Sequence, residues 1–439
     1  MQNELRTSWL SKRGIGAVAL TPLLLVACGD PSADGANAAL VAGTPGSPAI
    51  DGTPAERDTA ERGGFRSATM RLERGAELFS KKFKPSEGLG PYYNATSCES
   101  CHSAPVTGGS AKLYRNFYLI NYGPPESQTP HPYLPSIVLP AFGGSGAHLL
   151  ATFSTTNGRV HVPASIHGFP VNMEQRNGIS ALGVGLFEGV SDATIIALAD
   201  PEDLDGDGIS GRYNTEAGSI GRFGVKAQAN NLEGFTRGPL QNQMGITTNP
   251  FDGPGAIVSL ANSARYQAGA NPNAPTRDND GVPDPELSHQ DLGDLIFFTR
   301  NLPPPQKTLP FSAAATQGEL LFDQIGCTKC HIPSLPSSLG VTEAYTDLLI
   351  HDMGDDLAGV VNMGVPQQTP SSPSYNAHEW RTAPLWGVSK TAPFLHDGRA
   401  ETIEEAILLH AGEGLSIRQA FEALDQADRD AIIEFLEHL

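Results

Sequence analysis

The chain has 439 residues, with 29 lysines and arginines against 48 aspartates and glutamates, a formal charge of −19. So acidic a body argues against nucleic acid as a partner, and the length is ample for two or more domains. Five cysteines are too few for a disulfide scaffold, and four of them fall in two matching motifs.

At the N-terminus Lys12 and Arg13 precede "GIGAVALTPLLLVA", the layout of an export signal. This run of about fourteen mostly apolar residues is shorter than the roughly twenty a spanning helix needs. It stops at "LVAC", where small Ala27 precedes Cys28. The pattern resembles a bacterial lipobox, with cleavage before Cys28 and lipid on its thiol; an ordinary signal peptide is the alternative. Lipid on Cys28 anchors the protein to the periplasmic side of a membrane rather than spanning it. Residues 1–27 are therefore expected to be removed, leaving 26 basic against 47 acidic side chains, a balance of −21. Residues 28–64 are rich in Gly, Ala, Pro and Asp, and hold too few large apolar groups to offset the entropy of ordering. They read as a flexible tether.

Two similar halves follow, 65–306 and 307–439. "RGAELFSKKF" (74–83) and "QGELLFDQIG" (317–326) read as amphipathic helices with Leu-Phe on the inner face. Each leads into a C-x-x-C-H motif: Cys98, Cys101 and His102 in the first half, Cys327, Cys330 and His331 in the second. Each half closes on a further helix, "DLGDLIFFTRNL" (291–302) and "DRDAIIEFLEHL" (428–439). These match at a constant offset of 137, Phe298 with Phe435 and Leu302 with Leu439. The linker "PPPQKTLP" (303–310) marks the boundary. From the first Cys to the closing Leu is 204 residues in the first half and 112 in the second. The surplus between 105 and 275 is Gly/Pro-rich, with runs such as "RVHVPAS" that read as short strands.

The fold expected is mainly α: two cytochrome c-like domains in tandem, the first enlarged by a loop-rich insertion. Two thiols three residues apart at a helix start add to the two vinyl groups of one haem, and the next residue's imidazole meets the iron. Zinc sites also use C-x-x-C pairs, but these pairs are over two hundred residues apart and each has its own His. Two covalent haem c groups are therefore expected, with His102 and His331 as proximal ligands.

Within the insertion "DLDGDGISGR" sets Asp203, Asp205 and Asp207 on alternate positions before Gly208, as in a calcium loop. Position twelve is Asn214 rather than Glu, so calcium and a plain acidic turn both stand. Asp278, Asp280 and Asp284 offer a weaker version. In the second half "ETIEEAILLHAGEG" opens with the capping box Thr402/Glu405. Its Ile403, Ala406, Ile407 and His410 share one helix face. A buried imidazole needs a partner, and for His410 iron or a backbone carbonyl would serve.

"ELFSKKFKPSEGLGPYYNATSCESCHS", "ALADPEDLDGDGISGRYN", "DLLIHDMGDDLAG" and "EWRTAPLWGVSKTAPFLHDGRAETIEEAILLHAGEG" together resemble the bacterial di-haem oxidoreductases of peroxidase type. The last segment is also similar to the second half of di-haem cytochrome c peroxidases. In those enzymes the position fourteen residues beyond the "HDG" histidine is a Met ligand; here it is His410. The resemblance thus implies bis-histidine ligation, with a lower potential than His/Met. His396, Met353 and His351 are reserve candidates. "IHGFPVNMEQRNG" resembles the peroxidase distal loop, which implies His167 or Glu174 as a catalytic base and Arg176 as the group steadying the leaving oxygen. Met244 is the residue that would instead close that site.

The expected function is an anchored periplasmic oxidoreductase that passes electrons from the C-terminal haem to a reactive N-terminal haem. A small redox donor protein or quinol-linked cytochrome supplies the electrons, and peroxide or another small oxidant receives them. The alternative is a non-enzymatic electron-transfer cytochrome, with a link to periplasmic iron handling as a third reading.

Overall fold

The computed structural model describes residues 66–90, 92–122, 148–150, 153–154, 158–159, 164–166, 169–216, 219–248, 281–283, 285–359 and 377–439. The lipobox at Cys28, the tether 28–64, His167 and the three aspartates 278, 280 and 284 lie outside these residues, and the side chain of Asp205 lies within them. Everything described belongs to one unit, Leu40–Leu439, and it is mainly α with short strands. No helix among the described residues is long and apolar enough to cross a membrane.

Eight α-helices are described: α1 (Ala68–Ser80), α2 (Asp192–Leu198), α3 (Leu232–Met244), α4 (His289–Arg300), α5 (Ala313–Gln324), α6 (Ile403–Leu408), α7 (Leu415–Ala423) and α8 (Gln426–His438). Each of the four helices around the motifs begins on a side chain that accepts an otherwise orphaned amide. Ser67 takes Met70 N, Ser288 takes Asp291 N, Ser312 takes Ala315 N and Asp425 takes Asp428 N. These caps start the helices several residues before the apolar pattern shows itself, as α1 and α5 illustrate.

Within each half the opening helix crosses the closing helix through a glycine. A Cβ on Gly75 would collide with the Asp294 carbonyl, and one on Gly318 with the Ala431 carbonyl. Asp294 and Ala431 differ by the same offset of 137 that relates the closing helices in sequence, so the repeat extends to the crossing point. In the first half the crossing is reinforced by charge. Asp294, fully buried, pairs with Arg66 and Arg71, and Arg74 holds both oxygens of Asp291 at 2.9 Å.

The apolar interior forms three clusters. One joins Leu78, Phe79 and Phe298 of the first half, and another joins Phe322, Phe435 and Leu436 of the second. The third is shared between halves: Phe187, Ile195 and Phe223 pack with Leu335, Leu348 and Trp386.

The insertion builds an antiparallel sheet from β1 (Phe117–Tyr122), β2 (His148–Leu150), β3 (Ser165–Ile166) and β4 (Phe169–Arg176), ordered β2-β1-β4-β3. β5 (Ile350–Asp352) and β6 (Glu379–Arg381) make a two-stranded antiparallel pair in the second half. The end of the large sheet is tied to the "HDG" loop. Gln175 Nε2 and Asn116 Nδ2 each donate to the Asp397 carbonyl at 2.9 Å, and Asn177 Nδ2 donates to the Pro393 carbonyl at 2.8 Å.

The helix predicted around His410 is shorter than its pattern. α6 ends at Leu408, and a 3-10 turn, Gly412–Gly414, leads into α7. His410 therefore stands just past the helix end, yet Ile403, Ala406, Ile407 and His410 still line one cavity.

Gly318→Ala is expected to cost about 1–3 kcal/mol, because a methyl forced into a close helix crossing displaces backbone. Thermal unfolding followed by circular dichroism checks this; an unchanged midpoint would show that α5 and α8 separate freely.

Candidate haem sites

Both motifs adopt the same local geometry. Cys98–Ser100 and Cys327–Lys329 are short 3-10 turns. The amides of His102 and His331 reach back to the carbonyls of Cys98 and Cys327 at 3.0 and 2.9 Å. His102 Nδ1 stands 3.1 Å from the Gly109 carbonyl, and His331 Nδ1 stands 2.9 Å from the Tyr345 carbonyl. A carbonyl only accepts, so Nδ1 carries the proton and Nε2 is left as the bare donor that iron requires. Tyr345 holds its carbonyl there at φ 51°, a left-handed conformation costly for a bulky side chain. The inner Phe of each opening helix meets the imidazole in the same way. Phe79 and His102 have ring centres 6.3 Å apart at 54°, Phe322 and His331 6.3 Å apart at 53°.

Electrostatics match this use. Burial pushes the Cys98 and Cys327 thiols up to about 12, the opposite of a redox-active or zinc-binding thiol. Burial likewise lowers His102, and lowers His331 to about 4, against the opposing pull of the Gly109 and Tyr345 carbonyls. Both rings are neutral at physiological pH, the state that binds metal.

The second site has a second imidazole. His410 bonds the Ala406 carbonyl through Nδ1 at 2.8 Å, which again leaves Nε2 bare. The ring centres of His331 and His410 are 6.5 Å apart. A metal–imidazole bond is about 2 Å, so two rings sharing one ion stand with centres roughly 6–6.5 Å apart. The carbonyl partner thus occupies Nδ1 and leaves Nε2 free to meet a metal. The cavity around it is apolar, lined by Phe322, Leu385, Ile407, Phe421 and Leu436. Met353 also lines it. Both nitrogens of His351 face carboxylates, Asp347 at 2.9 Å and Glu413 at 2.8 Å.

Glu174 and Arg176 fall on one face of β4 and pair with each other, 7% and 2% exposed. Their described company comes from the second half. Arg176 lies 4.9 Å from the Trp380 ring centre, and His396 Nε2 is 3.9 Å from Glu174. His396 stacks on Trp380 at 3.6 Å and 6°, while Lys226 Nζ lies 3.7 Å from the same ring centre. At such distances these two must occupy opposite faces of the indole. Burial, then Arg176, Arg399 and Lys226, pushes His396 down to about 2, so it is a neutral stacking partner rather than a base. Burial and Arg176 push Lys226 down to about 7, against Glu174 and Asp352. Two residues beyond Arg176 the chain touches the first motif: Gly178 accepts the Ala111 amide at 2.9 Å and packs on Cys101.

Met244 is core, 2% exposed, in the cluster against which Cys98 and Cys101 pack. In the acidic loop the carboxylates that converge are Asp200, Asp203 and Asp205, in place of the expected 203, 205 and 207. Asp207 turns instead to Lys329 of the second motif at 3.3 Å. The loop carboxylates also accept their own amides, Gly208 N on Asp203 at 3.1 Å and Ile209 N on Asp207 at 2.9 Å, the bonding of a plain acidic turn. Sequence reasoning missed Lys226, Trp380, Asp347 and Glu413, which carry no spacing signal because they meet only in three dimensions.

No curated protein matches the chain. Among solved structures it is similar to a hydrazine synthase of Kuenenia stuttgartiensis (21% identity, 34% of this chain and 55% of that one, TM-score 0.26). It is also similar to a MauG-like protein associated with microbial copper homeostasis (13%, 91% and 95%, 0.39). A third is the diheme peroxidase BthA of Burkholderia thailandensis (15%, 85% and 87%, 0.39). The chain spans about half the length of the hydrazine synthase chain. A family model described as "Di-haem oxidoreductase, putative peroxidase" matches residues 150–439, well over half of the sequence. The chain belongs to this di-haem oxidoreductase family, and it is an enzyme with two haem cofactors.

Proposed function

We propose that the protein is a lipid-anchored periplasmic enzyme that reduces peroxide at its first haem with electrons received at its second. The observation that carries this reading is the pairing of His331 and His410 at 6.5 Å. Two imidazoles on one iron leave no position for substrate, so the second site suits electron transfer and the chemistry falls to the first. Cys98 and Cys101 would hold one haem and Cys327 and Cys330 the other, each thiol adding across a vinyl double bond. The haems supply the redox chemistry: hydrogen peroxide with two electrons and two protons gives two waters.

The chain's own residues do the rest. Tyr345 and Gly109 fix the proximal rings. Glu174 accepts the proton from one peroxide oxygen, and Arg176 steadies the charge on the departing one. Their place four and two residues before the contact of Gly178 with Cys101 supports this assignment. Cys28 anchors the body, and the acidic surface suits a basic donor protein.

The mass of the mature protein should exceed that of its polypeptide by two porphyrins. Electron paramagnetic resonance of the oxidised protein should show one high-spin signal that shifts on adding peroxide. Low-spin iron alone would overturn the enzyme reading and leave an electron-transfer cytochrome. Glu174→Gln is expected to slow peroxide turnover by about 10²–10⁴-fold with both haems retained. His410→Met should raise the second haem's potential, since thioether ligation does so; no shift would mean His410 binds only Ala406.

A further inference from the structure

Beside the second motif the structure assembles a buried charged cluster that holding a haem does not require. His351 is 3% exposed, and its Nε2 and Nδ1 face Asp347 Oδ2 and Glu413 Oε2 at 2.9 and 2.8 Å. A carboxylate only accepts, and a neutral imidazole has one N–H to give. Both carboxylates also accept from other donors, and the His351 ring and these donors hold Glu413 below its ordinary range against burial. Asp347 also takes the Leu349 amide at 2.9 Å. Glu413 takes the amides of Ser210 and Asp352 at 2.9 and 3.0 Å and the Ser210 hydroxyl at 2.8 Å. The extra proton therefore sits on the ring, and His351 is an imidazolium. Burial opposes this charge, but Asp347 outweighs it and holds His351 well above its ordinary range.

The ring is fixed in place. His351 pairs with Trp380 across β5 and β6, and Gly211 faces the ring, where a Cβ would lie 2.6 Å from Cε1. Cys330 Sγ is 3.7 Å from His351 Nδ1. The other charges around it are Arg212, paired with Glu379, and Arg381 and Asp352. With His351 there are three cations against the four anions Asp347, Asp352, Glu379 and Glu413.

We propose that His351 is a positioning cation that raises the reduction potential of the haem held by Cys327 and Cys330, with Asp347 and Glu413 keeping it charged. This rests on the reading that the second motif binds a haem. Reduction adds an electron, and a fixed positive charge within a low-dielectric interior favours that form. A cation here offsets part of the lowering that a second imidazole ligand imposes.

Spectroelectrochemical titration of the holoprotein, resolving the two haems, tests it. His351→Gln removes a positive charge and should lower the second haem's potential. Asp347→Asn removes the carboxylate that keeps His351 charged, so in that variant the second haem's potential should fall as pH rises and the ring loses its proton, a dependence that His351→Gln lacks. The first haem's potential should stay put in both. An unchanged second-haem potential in His351→Gln, or the same pH dependence in both variants, with both haems intact, would overturn the proposal and leave His351 a structural residue. A wild-type protein whose Cys327–Cys330 peptide carries no porphyrin by mass spectrometry would overturn the functional reading along with it, so the two failures are distinguishable.

Discussion

The imidazoles of His102 and His331 each give their Nδ1 proton to a backbone carbonyl, and much of the structure exists to hold those two carbonyls still. Gly109 supplies the first from a turn where a Cβ would strike the Ala104 carbonyl. Tyr345 supplies the second from a left-handed backbone. The consequence is chemical: the tautomer is set before any metal arrives, and Nε2 points away from the protein bond. Helix caps, glycine crossings and the paired Phe rings then give both rings the same local setting.

What distinguishes the halves lies around this shared frame. The second half adds His410, whose ring stands 6.5 Å from that of His331 in one apolar cavity. The first half adds a sheet instead, and that sheet leans into the second half through Asn116, Gln175 and Asn177. Its last residues, Glu174 and Arg176, pair beneath Trp380 and His396. The charged and aromatic groups nearest the first motif are thus partly supplied by the second half, and the shared apolar cluster around Trp386 and Phe187, stacked at 5.3 Å, binds the halves into one body. A motif with a polar wall nearby thus lies beside one with a second imidazole, an asymmetry that identical domains would not provide.

Legibility in the sequence followed the range of the interactions. Helices α1, α4, α5 and α8 were readable because their caps and apolar faces are local, and the two motifs because three residues suffice to state them. His410 was readable from its helix face, although α6 stops two residues short of it. The acidic loop was half readable: Asp203 and Asp205 converge, together with Asp200, but Asp207 answers to Lys329, 122 positions away. Neither the stack of Lys226, Trp380 and His396 nor the Asp347–His351–Glu413 triad leaves any periodic mark.

The sequence by itself determined the two-fold plan and the placing of His102, His331 and the four thiols, since each depends on residues within one or two turns of chain. Only the tertiary structure decided which groups face one another: that His410 stands near His331, that Glu174 and Arg176 meet Trp380, and that His351 lies between Asp347 and Glu413. Those pairings are set by helix crossings and strand register between segments tens to hundreds of residues apart, and proximity of that kind is a property of the packed core rather than of spacing along the chain.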